Sequence, residues 1–179
     1  MDLQAKTTDY QNKIIEQINS SNDENAISLI LELRDNGGLY LVNTFLNILL
    51  SNRSETLKRT VIETLTDIKD LQAAKLYVEF LKKNYESKKI TDVLTICWQS
   101  RLDFTENIDI FFDILCKSDY QTAFEAFTVI ENNLDSLTVE QLSNYIALVK
   151  SNVSKTDRDK QLLLLEMVST LDKAKRTAS

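Results

Sequence analysis

Ile108-Asp109-Ile110-Phe111-Phe112-Asp113-Ile114-Leu115 decides the fold class. Its apolar residues at 108, 111, 112 and 115 follow the i, i+3, i+4, i+7 spacing that lines one face of an α-helix, whereas a half-buried strand would alternate every second residue. The same pattern recurs at 42–49, 74–81 and 142–149, in steps of 32, 34 and 34 residues. Five columns are apolar in every copy, and the column Phe45, Tyr77, Phe111, Tyr145 is always aromatic. Its neighbours in the pattern are aliphatic, so it reads as core packing and not as a ligand stack.

Between these segments lies a second family of helices. Leu29, Val61, Val93 and Ala126 form one of its columns, in steps of 32, 32 and 33; Leu33, Leu65, Cys97 and Ile130 form another. A constant period over eight helices is the signature of stacked helical units. The expected architecture is all-α: a right-handed α-α superhelix of about ten helices, made of four helical hairpins with half a repeat at each end. Ile14, Ile15 and Ile18 place residues 7–19 as the latter half of a repeat. Leu164, Leu165 and Val168 place 156–172 as a first helix without its partner. Residues 1–172 are thus expected to form a single domain, with 173–179 as a flexible tail.

Boundary signals agree with the period. Ser21 with Glu24, Asn52 with Glu55 and Thr138 with Gln141 have capping-box spacing. Asp119 has the position of an N-cap. Gly37 falls where a left-handed residue would end a helix. Asp70, Asp103 and Asp135 stand in the longer turns, placed to cap the helix that follows.

Composition narrows the chemistry. Among 179 residues there is no proline and no histidine, and the two glycines, Gly37 and Gly38, are adjacent. The punctuation of hairpins and sheets is missing, as are the commonest general base and metal ligand. A Ser-His-Asp or Cys-His site is therefore impossible within this chain, and no glycine-rich phosphate loop can form. The net charge of −6 argues against a nucleic-acid binder, which usually shows a basic face. Cys97 and Cys116 have no CxxC spacing; Cys97 sits on an apolar face as a small core residue, which fits a reducing, cytoplasmic compartment. The polar start of the chain lacks a signal-peptide core, and no apolar run approaches the ~20 residues of a membrane span.

A run of ~33-residue helical hairpins over residues 7–172 resembles the HEAT/armadillo-like α-solenoids, with Asp70, Asp103 and Asp135 near the turns and Lys75 after the first of them. The period and the pair Ala73/Tyr77 are also similar to tetratricopeptide repeats, the second choice. The HEAT-like resemblance implies that the second helices line a concave surface. Their polar columns would then form a partner-binding ladder of Asn43, Asn47, Lys75, Glu79, Asp109, Asp113 and Ser143, with Ala147 at its end. Its acidic patch suits a basic protein or peptide.

Other constellations read blandly. Asp109, Asp113 and Glu106 could face one cation, but a solvated acidic face explains them, and a hard cation wants six or more oxygens. No metal, cofactor or catalytic residue is therefore expected. Trp98, Arg101 and Asp103 resemble, loosely, the aromatic and carboxylate set of the HEAT-like alkylation-repair DNA glycosylases. That is the alternative to the first expectation, a non-catalytic interaction module or small scaffold. Partner identity and oligomeric state are not legible in the sequence.

Overall fold

A computed structural model describes residues 2–34, 38–85 and 88–178. These residues form ten α-helices and, among them, no strand. The helices are α1 (Asp2–Ser20), α2 (Asp23–Leu33), α3 (Val42–Leu50), α4 (Glu55–Thr66), α5 (Gln72–Lys83), α6 (Thr91–Ser100), α7 (Ile108–Lys117), α8 (Tyr120–Glu131), α9 (Val139–Val153) and α10 (Arg158–Thr177). The all-α class and the number of helices match the sequence expectation. The C-cap expected at Gly37 lies outside the described residues.

The pairing differs in phase. Backbones approach each other across the connections α1–α2, α3–α4, α5–α6, α7–α8 and α9–α10, whereas the helices flanking the other connections barely meet. The ten helices thus form five pairs, and α1 and α10 each have a partner. Four of these turns are short and polar, and each ends in a side chain that caps the next helix. Asn22 accepts from the Asn25 amide at 2.9 Å, Ser54 from Leu57 at 3.3 Å, Asp119 from Thr122 at 2.9 Å and Asp157 from Lys160 at 3.0 Å. An N-cap oxygen satisfies an amide that the first helical turn leaves without a partner. The caps of α2 and α4 are therefore Asn22 and Ser54, one and two residues beyond Ser21 and Asn52. Thr138 forms the expected capping box with Gln141, at 3.2 and 2.9 Å.

Successive pairs stack in two layers. One holds α2, α4, α6, α8 and α10, here called the first helices; the other holds α3, α5, α7 and α9, the second helices. Bonds between pairs join residues about one repeat apart. Arg53 and Asp23 are separated by 30 residues, Thr91 and Thr122 by 31, and Tyr145 and Asp109 by 36.

The core runs continuously between the layers. Phe45, Tyr77 and Phe111 are buried, and Phe104 meets the edge of Phe111 with ring centroids 5.4 Å apart. Tyr77 gives its hydroxyl to the Leu65 carbonyl at 2.8 Å, so a phenol is buried without an orphaned donor. The last copy departs. Tyr145 is half-buried and stacks on Phe112 at 3.9 Å, and Leu148 is 38% exposed where Ile48, Phe80 and Ile114 are buried.

Cations close the carboxyl ends of several helices, where the backbone dipole concentrates negative charge. Arg53 donates to the carbonyls of Ile18, in the last turn of α1, and of Ser21, just past its end, at 3.0 and 2.8 Å. Lys89 donates to Leu50 at 2.9 Å, at the end of α3. Lys160 is buried and donates to the Ser118 carbonyl beyond α7, and this burial lowers its pKa. The tail expected at 173–179 is mostly helix: α10 continues to Thr177, with Ala174 packed on the core and Lys175 and Arg176 in the last turn.

Candidate protein-docking faces

The second helices carry the expected ladder on their outer side. Asn43 and Asn47 on α3 and Lys75 and Glu79 on α5 are exposed. Asp109 on α7 is exposed and accepts a hydrogen bond from the Tyr145 hydroxyl at 2.6 Å. Asp113 is half-buried and pairs with Lys117 at 3.1 Å. Ser143 on α9 turns its hydroxyl back to the Val139 carbonyl at 2.7 Å. The seven residues thus follow one another along α3, α5, α7 and α9, and three of them already have partners. Burial and the bond to Asp109 push the Tyr145 phenol above its ordinary pKa, so it stays a donor at any physiological pH. Lys75 also borders a cleft of about 250 Å³ with Leu71, Val78, Phe104 and Asn107. Among the described residues, no group of three or more metal-binding side chains comes together, at Asp109, Asp113 and Glu106 or elsewhere.

The first-helix layer has a different character. Its backbones lie closer together along the stack than those of the second helices. Its charge divides along the stack. α2, α4, α6 and α8 carry eight carboxylates against two cations, Lys58 and Arg59, but α10 carries three against five, as α3, α5, α7 and α9 together carry four against five. Asp92 sits half-buried in this layer. Burial, and then the nearby Glu55 carboxylate, raise its pKa above the ordinary 3.8, with Lys58 opposing.

Glu125 on α8 ties this layer across to α6. It accepts from the Trp98 indole at 2.6 Å and from the Thr95 hydroxyl at 2.9 Å. Trp98 therefore serves a structural bond; it borders one cleft with Arg101, whereas Asp103 lines another. Arg101 ends α6 in the left-handed conformation, with φ 59°. Asp103 accepts from the Thr105 amide at 2.8 Å, forming the turn before α7. The cleft beside Trp98 is lined by Gln99, Arg101, Thr128 and Asn132 and presents one cation to a ligand. That is too little for a phosphate backbone, which is held by several.

Sequence reasoning passed over a third feature. Among the described residues eight large apolar side chains are exposed, and four of them stand on the last two first helices. Tyr120 and Phe124 on α8 are 47% and 49% exposed, and their rings stack with centroids 6.4 Å apart. Leu162 and Leu165 on α10 are 60% and 51% exposed. The available signal was positional: Phe124 and Leu162 fall on the side opposite each helix's buried stripe, where a solvated helix carries polar residues.

No described helix is long and apolar enough to cross a membrane. No protein-family model and no curated protein matches the chain.

Proposed function

We propose that the chain is a non-catalytic, cytoplasmic interaction module that holds a segment of another protein along its stack of helix pairs. The observation that supports this reading is the repetition of exposed side chains at one-repeat intervals. Asn43, Lys75 and Asp109 recur on successive second helices, and the first helices repeat an acidic surface in the same way. With helices spaced ~8–10 Å apart, four in a row offer a surface some 30 Å long, enough for an extended peptide or a helix.

Affinity capture of the tagged protein from its own cells, analysed by mass spectrometry, tests this. A parallel capture uses Asp109→Lys/Asp113→Lys. A protein enriched with the parent and absent with the double variant supports the module and places the contact on the second helices. Enrichment of nucleic acid or a small molecule instead would sink the reading.

A further inference from the structure

We infer that the chain forms a twofold dimer in which the last described helix pair, α9–α10, packs on the same pair of a second copy. The inference concerns the chain alone and is separate from the module reading above.

The two ends of the stack differ. On the first helices the eighth residue after the N-cap is Ile30 in α2, Ile62 in α4, Phe127 in α8 and Leu165 in α10. Ile30 and Phe127 are buried and Ile62 is half-buried, but Leu165 is 51% exposed. On the second helices Ile48, Phe80 and Ile114 are buried, and Leu148 in the same column is 38% exposed. Both helices of the last pair thus continue an apolar column that earlier pairs bury, and here it meets water.

The first pair is finished differently. The third and tenth residues after the N-cap face the preceding pair: Thr122 on α8 meets Thr91 on α6 at 3.2 Å, and Lys160 on α10 reaches back to Ser118. These two places are buried on α4, as Leu57 and Thr64, and on α8, as Thr122 and Val129. On α2 they are Asn25 and Glu32, both exposed. Polar residues there let a terminal repeat face water. One end of the stack is therefore polar and the other apolar.

Charge selects what covers the apolar end. Arg158, Leu162 and Glu166 form one i, i+4, i+8 ridge of α10, and all three are exposed, Leu162 by 60%. Arg158 and Glu166 stand about 12 Å apart along the axis, too far to pair with each other. Neither has an ion-pair partner among the described residues. The ridge thus carries opposite charges at equal distances from Leu162. Laid antiparallel on its own copy about Leu162, it sets each Arg158 opposite the partner's Glu166, and two ion pairs flank the leucines. Ridges of i±4 rows form the commonest helix contact, and a contact in which i meets j and j meets i is what a twofold axis requires. A uniformly basic or acidic helix would match one end of this ridge and be repelled by the other. The chain's net charge of −6 opposes this approach least, because residues 139–177 carry five carboxylates against seven cations.

Sedimentation equilibrium of the full chain at about 0.15 M salt, loaded at about 1–100 μM, tests the inference. The mass should rise from the monomer's 20.6 kDa to twice that value and stop, because a twofold contact closes. Leu162→Ser should weaken dimerisation roughly tenfold or more with parental circular dichroism, since this side chain faces solvent in the single chain. Arg158→Glu and Glu166→Arg should each weaken it about tenfold. Arg158→Glu/Glu166→Arg should return to within about threefold of the parent, and so should an equimolar mixture of the two single variants, which complement each other. Asn25→Lys/Glu32→Lys at the polar end should leave the dimer within about twofold. A chain that keeps the monomer mass throughout overturns the inference, and so does a dimer that Leu162→Ser or both single reversals leave unchanged. Growth beyond two copies, or a dimer lost in Asn25→Lys/Glu32→Lys, would mean head-to-tail contact through α1–α2 and overturns it as well. None of these results bears on the capture experiment, so the module reading stands or falls by itself.

Discussion

At the scale of single residues, Arg101 carries the clearest local cost. It is the one described residue other than glycine with positive φ, at 59°, where its Cβ crowds the following carbonyl. The position is the αL terminus of α6, which glycine fills most easily. Arg101→Gly should therefore stabilise the protein by about 0.5–1 kcal/mol, read as a rise in the urea midpoint at unchanged m. Asp92 is the electrostatic counterpart. Its folded pKa is raised, so the folded state holds the proton more tightly than the unfolded chain does. Its contribution favours folding in acid and is lost as the pH rises through the raised pKa. Asp92→Asn should accordingly stabilise at pH 7, by less than about 1 kcal/mol for a half-exposed group. The advantage should vanish below the ordinary 3.8. A variant less stable than the parent at pH 7 would mean that Lys58 outweighs burial. In the core, Phe111 is fully buried, and Phe111→Ala should cost about 3–5 kcal/mol in chemical unfolding.

At the scale of the element, the turn between α1 and α2 shows how pairs are fastened. Asp23 accepts from the Ser54 amide at 2.8 Å and from Arg53 at 2.6 Å, while Arg53 closes the end of α1. The bonds from Ser54, then that from Arg53, hold the Asp23 carboxyl at about 2. This lowered pKa gives stability that is present above the ordinary 3.8 and lost as the pH falls through about 2. Asp23→Asn should be less stable than the parent at neutral pH, with the gap closing between those two values in acid unfolding followed by circular dichroism. This tie also marks where sequence reading stopped. Thr138 was legible because Gln141 stands three residues on to complete its capping box. At Ser21–Asn22 and Asn52–Ser54 several residues compete, and the end of the preceding helix makes the choice. The bonds from Arg53, Lys89 and Lys160 to distant carbonyls leave no spacing in the sequence, because an exposed lysine and a capping lysine are written alike. The seven ladder residues were legible as polar columns. Their engagement with Tyr145 and Lys117 was not, because a column shows which residues share a helix face and not what the neighbouring helix brings to it.

At the scale of the whole molecule, period and phase separate. Self-similarity every 32–34 residues identifies the repeating unit, but any starting point gives the same period. Only the packing shows that the tight pairs are α1–α2 through α9–α10. That phase has a mechanical consequence. In a stack each pair touches only its neighbours, so stability accumulates along the array and a lesion at one end stays local. Removing α10 by ending the chain at Val153 takes away the partner of α9. Leu142 and Val149, now buried, would meet water, and an isolated helix of 15 residues is marginal by itself. The shortened chain should lose the far-UV helix signal of α9 and α10 together while α1–α8 still unfold cooperatively. Under the other phase α9 would keep α8 as its hairpin partner, and the signal lost would be that of α10 alone. Amide exchange separates the two: rapid exchange throughout 139–153, with protection retained in α4 and α6, is the outcome that five stacked pairs require.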